Sequence, residues 1–363
     1  MRAAFDLTRL FTASVADLVE ERFESDAMRG LLSVSGVIGT WGGPRSAGTA
    51  FVTLHHHLDQ TGGQSAAWGF PRGGMGGVTT ALAASARSFG AEIRTQAPVA
   101  RIDTRGGRVT GVTLESGEQL TAPVVITTAH PKISFLRLMD RDELPGDFVA
   151  DIESWQTRSG TVKVNSAVDR LPVFSSHPDF DPDVYGGTIV LSESLDDVET
   201  AFQEAAAGRA ATLPFADVCI PSVLDPTLAP EGKHVVSMFT QWVPHTWAQR
   251  PDPAGLEAYA DRLVARMEQV APGFAASVVG RQVIGPHEME TEYGLIGGNI
   301  FHGELTPGQM FHCRPAAGYA DLRTPVKGLY QAGSATHGGG GVTGIPGRNV
   351  VRQVVRDTRR GRR

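Results

Sequence analysis

The spacing of apolar residues changes near the carboxyl end of the chain. A short apolar run at residues 329–332 is typical of a strand, whereas Val350, Val351, Val354 and Val355 recur at the spacing of one helix face. A segment rich in glycine separates the two patterns. The sequence therefore predicts a strand, a glycine loop and a helix in this order.

The amino-terminal residues 1–67 have a largely helical pattern. Ser14 and Ser25 are expected N-caps, because a hydroxyl oxygen can accept a hydrogen bond from a free amide at a helix start. The apolar residues behind these caps are predicted to form the buried helix faces, and they are Val15, Leu18, Val19, Met28, Leu31 and Leu32.

Residues 78–126 are predicted to form a helix and then a series of short strands. The helix at 78–89 should end before Gly90, since glycine readily takes the left-handed conformation that follows a helix. The β-branched run at 124–126 predicts a strand buried on both faces. Turn signals separate the other expected strands, at 92–95, 99–103, 109–114 and 119–121.

Residues 131–325 have the pattern of a second domain with strands and helices. An amphipathic helix is expected after Pro253. The predicted strands lie at 161–167, 188–191, 215–220, 233–242 and 278–284. The overall pattern predicts an α/β chain of the mixed α+β kind.

The glycine run at 338–341 predicts a cofactor site. Glycine lets the backbone approach a ligand closely because no Cβ intervenes. The helix that follows directs its first amides, and a partial positive charge, back into the loop. A plain glycine-rich surface turn is the alternative.

Composition narrows the class of protein. The net charge of −6 over 363 residues argues against a nucleic-acid partner. Two cysteines, Cys219 and Cys313, predict no disulfide framework and suit a reducing, cytoplasmic setting. No apolar run is long enough for a transmembrane helix to be expected.

Several motifs carry a family resemblance. They are FPRGGMGGVT at 70–79, KVN at 163–165, GGNIFHGEL at 297–305, Arg314-Pro315, and GLYQAGSATHGGGGVTGIPGRN at 328–349. In this order the chain resembles the phytoene-desaturase-like flavoprotein oxidoreductases, from about residue 68 to its end. The GGNIFHGEL and carboxyl-terminal motifs are the most specific.

The resemblance implies an FAD-dependent oxidoreductase that transfers hydride from an apolar organic substrate to flavin, as in a dehydrogenation or desaturation. It implies part of a Rossmann-like FAD-binding domain interleaved with a mixed-sheet substrate domain. Residues 1–67 would be the helical part of the substrate domain and 131–325 the rest of it. Residues 68–130 and 326–363 would belong to the FAD domain.

The resemblance also implies the residues that contact the cofactor. The backbone of Val99 would meet the adenine, and Ala129 would lie beside the ADP part. Residues nearer the ribityl chain and the ring would come from the glycine loop, and they are Gly333, Ser334, Gly341, Val342 and Thr343.

One family element is not found among these residues. Relatives have a strand, a GxGxxG turn and a helix that hold the pyrophosphate. Residues 74–79 come near this pattern but lack the preceding strand and the last glycine. The resemblance therefore implies an amino-terminally shortened flavoprotein with weak or absent FAD binding. Two alternatives stay open: one half of a split flavoenzyme whose partner chain carries the GxGxxG unit, or a flavin-free module that binds a ligand or partner without redox activity.

Polar residues near the glycine loop suggest further chemistry. His302 and Glu304 would share a face on an extended stretch, and are candidates for a catalytic base or substrate anchor, with a buried polar pair as the alternative. Arg314 is expected to be a structural ion-pair partner, with an anchor for a ligand carboxylate as the alternative. No metal is expected, since the adjacent histidines 55–57 point in different directions on a helix.

The sequence also predicts an unpaired sheet edge. The strands at 92–95 and 124–126 should belong to a sheet that lacks its central partner, and a bare apolar edge favours self-association.

Overall fold

The computed structural model describes residues 2–57, 60–61, 64–65 and 69–361. Trp68, the first residue of the predicted 68–130 segment, lies outside the described residues. The helices are α1 (Arg2–Thr12), α2 (Val15–Glu20), α3 (Asp26–Val37), α4 (Thr49–His57), α5 (Met75–Ser88), α6 (Pro131–Leu136), α7 (Gly146–Ser154), α8 (Pro182–Tyr185), α9 (Leu195–Ala206), α10 (Pro221–Leu224), α11 (Pro253–Val270), α12 (Phe274–Ser277), α13 (Pro286–Tyr293) and α14 (Ile345–Arg359).

The strands are short and belong to separate sheets. They are β1 (Gln60–Thr61), β2 (Gln64–Ser65), β3 (Val99–Arg105), β4 (Arg108–Leu114), β5 (Gln119–Thr121), β6 (Val125–Thr127), β7 (Thr161–Val168), β8 (Thr188–Leu191), β9 (Phe215–Cys219), β10 (His234–Gln241), β11 (Val278–Ile284) and β12 (Leu329–Gln331). In the described part of the chain, no helix is long and apolar enough to cross a membrane.

The chain divides into two compact units. The first unit comprises Met1–Ile93 and Ser159–Glu292, and the second comprises Arg94–Arg158 and Tyr293–Arg363. This division differs from the predicted segment boundaries, and the assignment of segments to a substrate domain and an FAD domain stays a prediction. The mixed α/β fold class is confirmed.

The first unit is built on an antiparallel five-stranded sheet in the order β11-β7-β10-β9-β8. Side chains alternate between its two faces, as the period of a strand requires. One face is buried at its centre, where Val162, Val164, Val236, Met238 and Val218 are all without exposure. The other face, called here the open face, is largely half-buried. The strands predicted for this region match those observed within two residues.

The amino-terminal helices begin where the sequence predicts. Ser14 accepts a hydrogen bond from the Asp17 amide while the Asp17 carboxylate accepts one from the Ser14 amide, a reciprocal capping box. Ser25 caps α3 by accepting a hydrogen bond from the Met28 amide, without a reciprocal partner. The predicted face of α3 is wrong, because Met28 and Leu31 are exposed.

The reason is that α3 buries its small residues. Gly30, Ser33, Val34 and Val37 are the buried side, and a Cβ at Gly30 would lie 3.0 Å from the backbone of Ser194. Close packing of α3 therefore selects the side without large side chains.

The second unit contains an antiparallel meander, β3-β4-β5, and a parallel pair, β6 and β12. Its core comprises Ile102, Val109, Phe135, Met139, Leu144, Phe148, Ile152, Ala316, Val326 and Leu329. The two segments of this unit, Arg94–Arg158 and Tyr293–Arg363, thus share one core, which joins the meander to the carboxyl-terminal strand β12.

Two strand predictions in this unit are wrong. Residues 92–95 form no strand, and Arg94 instead pairs at 2.7 Å with Glu118, which directly precedes β5. The strand predicted at 124–126 lies at Val125–Thr127, but it is not buried on both faces, since Ile126 is 41% exposed. Its only strand partner in the described residues is β12, so the other edge stays open.

Helix α14 is anchored through a buried carboxylate. Asp357 is 2% exposed and accepts hydrogen bonds from Arg323 Nε and Nη2, at 2.8 and 2.6 Å, and from the Tyr330 hydroxyl at 3.0 Å. The hydrogen bonds of Arg323 hold the pKa of Asp357 at about 2. Arg323 also pairs with Asp321, which is more exposed.

Asp357→Asn should lower the free energy of unfolding by about 2 kcal/mol at neutral pH, because a carboxyl pKa held below its unfolded value stabilises the fold above that unfolded value. In the parent, this contribution should be lost as the pH falls from about 4 to about 2. Urea unfolding across this range measures both effects. Asp321→Asn is the matched control, since an exposed pair contributes little. Equal losses in the two variants would contradict the assignment.

Candidate functional site

The carboxyl ends of two parallel strands bring two sets of predicted cofactor residues together. Leu329 pairs with Val125 and Gln331 with Thr127. Beyond the strands, the Gln331 amide Nε2 donates to the Ala129 carbonyl at 3.0 Å. Ligands of parallel sheets bind at these ends of strands. Ala129 and the loop from Gly333 therefore lie at the position expected for a nucleotide ligand.

Few side chains of the glycine loop cover the carboxyl ends of the parallel strands. A Cβ at Gly333 would lie 3.1 Å from the Thr128 carbonyl oxygen, so the two loops touch. Gly341 has a φ of +135°, and within 4 Å a Cβ there would meet only the Thr343 methyl group. Val342 is 75% exposed, and Gly341 and Thr343 are exposed too.

Helix α14 starts directly after this exposed stretch. Its N-cap is Gly344, in the left-handed conformation and without a side-chain cap, and the Ile345 amide donates to Thr343 Oγ1 at 3.2 Å. The structure thus places Gly341, Val342 and Thr343 together at a helix N-terminus, where an anionic or electron-rich group is stabilised.

Val99 belongs to a different element. It lies half-buried at the start of β3, opposite Leu114 in the meander, rather than in the parallel pair. Its predicted role beside the adenine stays a prediction.

Arg314 joins the glycine loop to the GGNIFHGEL segment. Its side chain is 1% exposed, and its guanidinium donates to the carbonyl oxygens of Ser334 at 2.9 Å, Phe301 at 2.7 Å and Gln309 at 3.2 Å. It also lies over the Trp155 ring, 5.2 Å from the ring centroid. Burial lowers the pKa of Arg314 to about 9, which leaves it charged at neutral pH. Arg314 is structural, as expected, but its partners are carbonyl groups rather than a carboxylate.

Two histidines lie next to this arginine. The rings of His130 and His302 are 5.5 Å apart between centroids. His130 caps α6, its Nδ1 accepting a hydrogen bond from the Lys132 amide at 3.1 Å, so the neutral ring carries its proton on Nε2. That Nε2 is buried without a partner, as is His302 Nδ1. Burial is the main cause that lowers the pKa of His130 to about 3 and also lowers that of His302, with Arg314 acting in the same direction.

The predicted arrangement of His302 and Glu304 is wrong. The stretch is not extended, since His302 has a φ of +56° and Gly303 a φ of +148°. A Cβ at Gly303 would lie 2.4 Å from the Trp155 ring, so only glycine fits there. Because the backbone turns at His302 and Gly303, the side chains of His302 and Glu304 point in different directions.

Glu304 is fully buried in an ion pair. Its carboxylate accepts hydrogen bonds from Arg158 Nε at 2.8 Å, Arg158 Nη2 at 3.1 Å and the Arg158 amide at 3.1 Å. Each carboxylate oxygen of Glu304 accepts a hydrogen bond. This matches the alternative prediction, in which Glu304 is a buried polar group with its hydrogen bonds satisfied. The geometry supports a structural role for Glu304 and leaves His302 as the candidate for proton transfer.

The histidines of α4, and two residues that the sequence did not single out, also bear on the question of a site. Residues 55–57 lie at the end of α4, and the described residues contain no group of three or more His, Cys, Asp or Glu side chains that could hold a metal ion. His130 and Gln331 were not predicted from the sequence, and Gln331 Oε1 is buried without a partner among the described residues. The pair His130-Pro131, an N-cap residue followed by a proline, was the sequence signal for His130.

Arg314→Lys should lower the free energy of unfolding by about 2–4 kcal/mol, because three ammonium protons cannot replace a fork that reaches carbonyls on three segments. Arg105→Lys, at an exposed arginine of β3, is the control and should change stability little. Thermal unfolding of both variants measures the difference. A loss below about 1 kcal/mol in Arg314→Lys would show that the contacts are dispensable.

His130→Asn should reduce the acid sensitivity of the fold. A buried histidine with a lowered pKa is neutral when folded, so stability falls as the pH drops below the unfolded pKa of about 6.5 toward the folded pKa of about 3. Asparagine keeps the N-cap but does not titrate. Between about pH 6.5 and 5, the parent should lose about 1–2 kcal/mol more than the variant. Urea titrations at each pH measure this, with exposed His312→Asn as the control. Parallel curves for parent and His130→Asn would contradict the assignment.

Comparison with known proteins places the chain in a family. The family model described as flavin containing amine oxidoreductase matches residues 3–347. A rat protein, pyridine nucleotide-disulfide oxidoreductase domain-containing protein 2 from Rattus norvegicus, is 40% identical over 356 residues, which are 96% of this chain and 61% of the relative. The chain thus spans about three-fifths of that relative's length.

More distant similarities agree with this. Prolycopene isomerase from Daucus carota is 26% identical over 284 residues, covering 76% of this chain and 42% of the relative. The crystal structure of an oxidoreductase from Methanosarcina mazei matches with a TM-score of 0.60 and 17% identity, covering 98% of this chain and 71% of that one. The structural match shows a shared fold.

Proposed function

The chain belongs to the flavin containing amine oxidoreductases, and from that premise we propose that it acts as part of an FAD-dependent oxidoreductase with an apolar organic substrate. The expected resemblance to the phytoene-desaturase-like flavoproteins, and among them to the branch of the rat relative, is confirmed. Family membership indicates flavin chemistry. The activity, the substrate and the strength of flavin binding are proposals.

One observation carries the proposal, namely the bare backbone at the carboxyl ends of the parallel strands. The exposed stretch Gly341, Val342 and Thr343 presents no Cβ at its first residue and opens directly onto the N-terminus of α14. These residues fit a flat, electron-rich ring, because the backbone can come close and the helix start stabilises negative charge. FAD, when bound, would supply the hydride acceptor.

The remaining residues of the proposed site would hold and shield the cofactor. Gly333 and Ser334 would contact the ribityl-phosphate part, Ala129 the ADP part, and Val99 the adenine. The buried Arg314 fixes the Ser334 carbonyl, so this part of the loop is preorganised. Preorganisation lowers the conformational entropy that binding would otherwise cost.

His302 is the proposed proton-transfer residue. Its ring lies beside a neutral His130 and a buried cation, and both burial and that cation lower its pKa. A neutral imidazole at physiological pH can accept a proton. Glu304 is retained only as a support for this segment, through its pair with Arg158.

The two alternatives differ in what supplies the pyrophosphate site. A split flavoenzyme would take a GxGxxG unit from a partner chain, and the open edge of β6 is the surface proposed for that partner or for self-association. A flavin-free module would bind a ligand or partner without redox activity. An FAD titration of the chain, alone and after variation of the loop, separates these possibilities.

Gly341→Val should weaken FAD binding by at least about tenfold, because a branched side chain would fill the space next to the bare backbone. Quenching of FAD fluorescence during titration measures the affinity. Gly117→Val is the matched control: Gly117 also has a positive φ, with no atom within 4 Å of a Cβ, but lies in the β4–β5 turn. Backbone strain is thus common to both variants.

The outcomes decide between the proposals. Equal affinities in the two variants would show that the cofactor wall is misplaced. Absence of binding to the parent up to about 1 mM FAD, a level that corresponds to about 4 kcal/mol of binding free energy, would favour the flavin-free or split alternatives.

A further inference from the structure

Helix α14 has one buried side and one exposed side that is rich in arginine. The buried side packs on a small apolar core through Val350 and is anchored through Asp357. The opposite side of the helix and its C-cap carry five exposed arginines, which are Arg348, Arg352, Arg356, Arg359 and Arg360. The fold thus holds the helix on one side and presents a line of positive charge on the other.

The exposed residues of α14 form two parallel rows. Arg348, Arg352 and Arg356 recur at every fourth position. Val351 and Val355 do the same beside them, and they are 55% and 42% exposed. Residues four apart lie on one helix face, about 6 Å apart along the axis, and such rows are the ridges through which helices pack together. These two rows are called here the basic ridge.

The arginines of the basic ridge have no anionic partner among the described residues. The ion pairs formed next to this helix join Arg323 to Asp321 and Asp357, and none involves an arginine of the ridge. Like charges four residues apart destabilise a helix. The helix dipole compensates for cations in the last turn, but not for Arg348 near the helix start or for Arg352 in the middle. A partner that supplies carboxylates would remove this repulsion.

The charge of the chain favours a narrow partner over a broad anionic surface. The net charge of −6 includes the five arginines, so the charges of all other residues sum to −11. A membrane with anionic lipids would attract the ridge but repel such an acidic remainder. Helix α14 also contains no Trp, Tyr or Phe, the side chains that commonly anchor a helix at a lipid surface.

We propose that the basic ridge of α14 is a docking surface for an acidic amphipathic helix of a partner protein. Carboxylates at every fourth position of that helix would pair with Arg348, Arg352 and Arg356. An apolar row beside the carboxylates would cover Val351 and Val355. The inference goes beyond the proposed function and does not depend on flavin binding or turnover.

The first test compares three alanine-based helical peptides on the unaltered chain. One has glutamates at every fourth position with leucines beside them, one has lysines in place of the glutamates, and one has the residues of the first spread around the helix. Fluorescence anisotropy at about 50 mM salt should show the glutamate peptide binding at least about tenfold more tightly than the other two. Equal binding of the spread peptide, or no binding of the glutamate peptide up to about 1 mM, would overturn the inference.

The second test locates the surface. The double variant Arg352→Glu with Arg356→Glu should weaken binding of the glutamate peptide by at least about tenfold and tighten that of the lysine peptide, because two attractions become repulsions. The matched control, Arg87→Glu with Arg209→Glu, changes the net charge equally at exposed arginines and should leave both affinities within about twofold. Equal effects of the two double variants would overturn the assignment to α14.

Folding of the variants is checked by circular dichroism. If the α14 double variant does not fold, Arg352→Gln compared with Arg87→Gln makes the same test, with an expected weakening of about threefold at Arg352 alone. Equal affinities in these two single variants would overturn the inference.

Lipid vesicles distinguish a membrane from a protein partner. Phosphatidylcholine vesicles with about 30% phosphatidylserine should not co-sediment with the chain at about 100 mM salt. Co-sedimentation that is lost in Arg352→Glu with Arg356→Glu would overturn the inference in favour of a membrane surface.

Discussion

The second unit depends on one buried cation. Arg314 has no carboxylate partner and is stabilised by carbonyl oxygens from the glycine loop, the GGNIFHGEL segment and the short turn at residue 309. A buried charge is costly unless its donors are satisfied, so these backbone segments can move apart only by exposing it. The positions of Ser334, Phe301 and Gly303 are fixed for this reason. Burial lowers the pKa of both His130 and His302, and the same charge acts in the same direction.

Rigid and exposed parts of the candidate site are thus adjacent in sequence. Ala335 and Thr336 are buried, whereas residues 341–344 are exposed and lack large side-chain contacts. In the parallel pairing of β6 with β12, this exposed stretch follows the carboxyl end of β12 and leads directly into the N-terminus of α14. A ligand that covers the stretch would gain backbone contacts without displacing packed residues.

The sequence by itself determined the elements, the family and the glycine loop, because these follow from local patterns. Hydroxyl caps at Ser14 and Ser25, the β-branched strands and the strand–loop–helix order depend on residues close in the chain. The tertiary structure decided the features that depend on contacts between residues far apart in the sequence. Residues 92–95 have strand-like residues but form no strand, and α3 packs with its glycine side inward. Glu304 pairs with Arg158, which is far away in the sequence, and Gly303, between His302 and Glu304, packs against the Trp155 ring. Such contacts join segments far apart in the chain, and no local pattern records them.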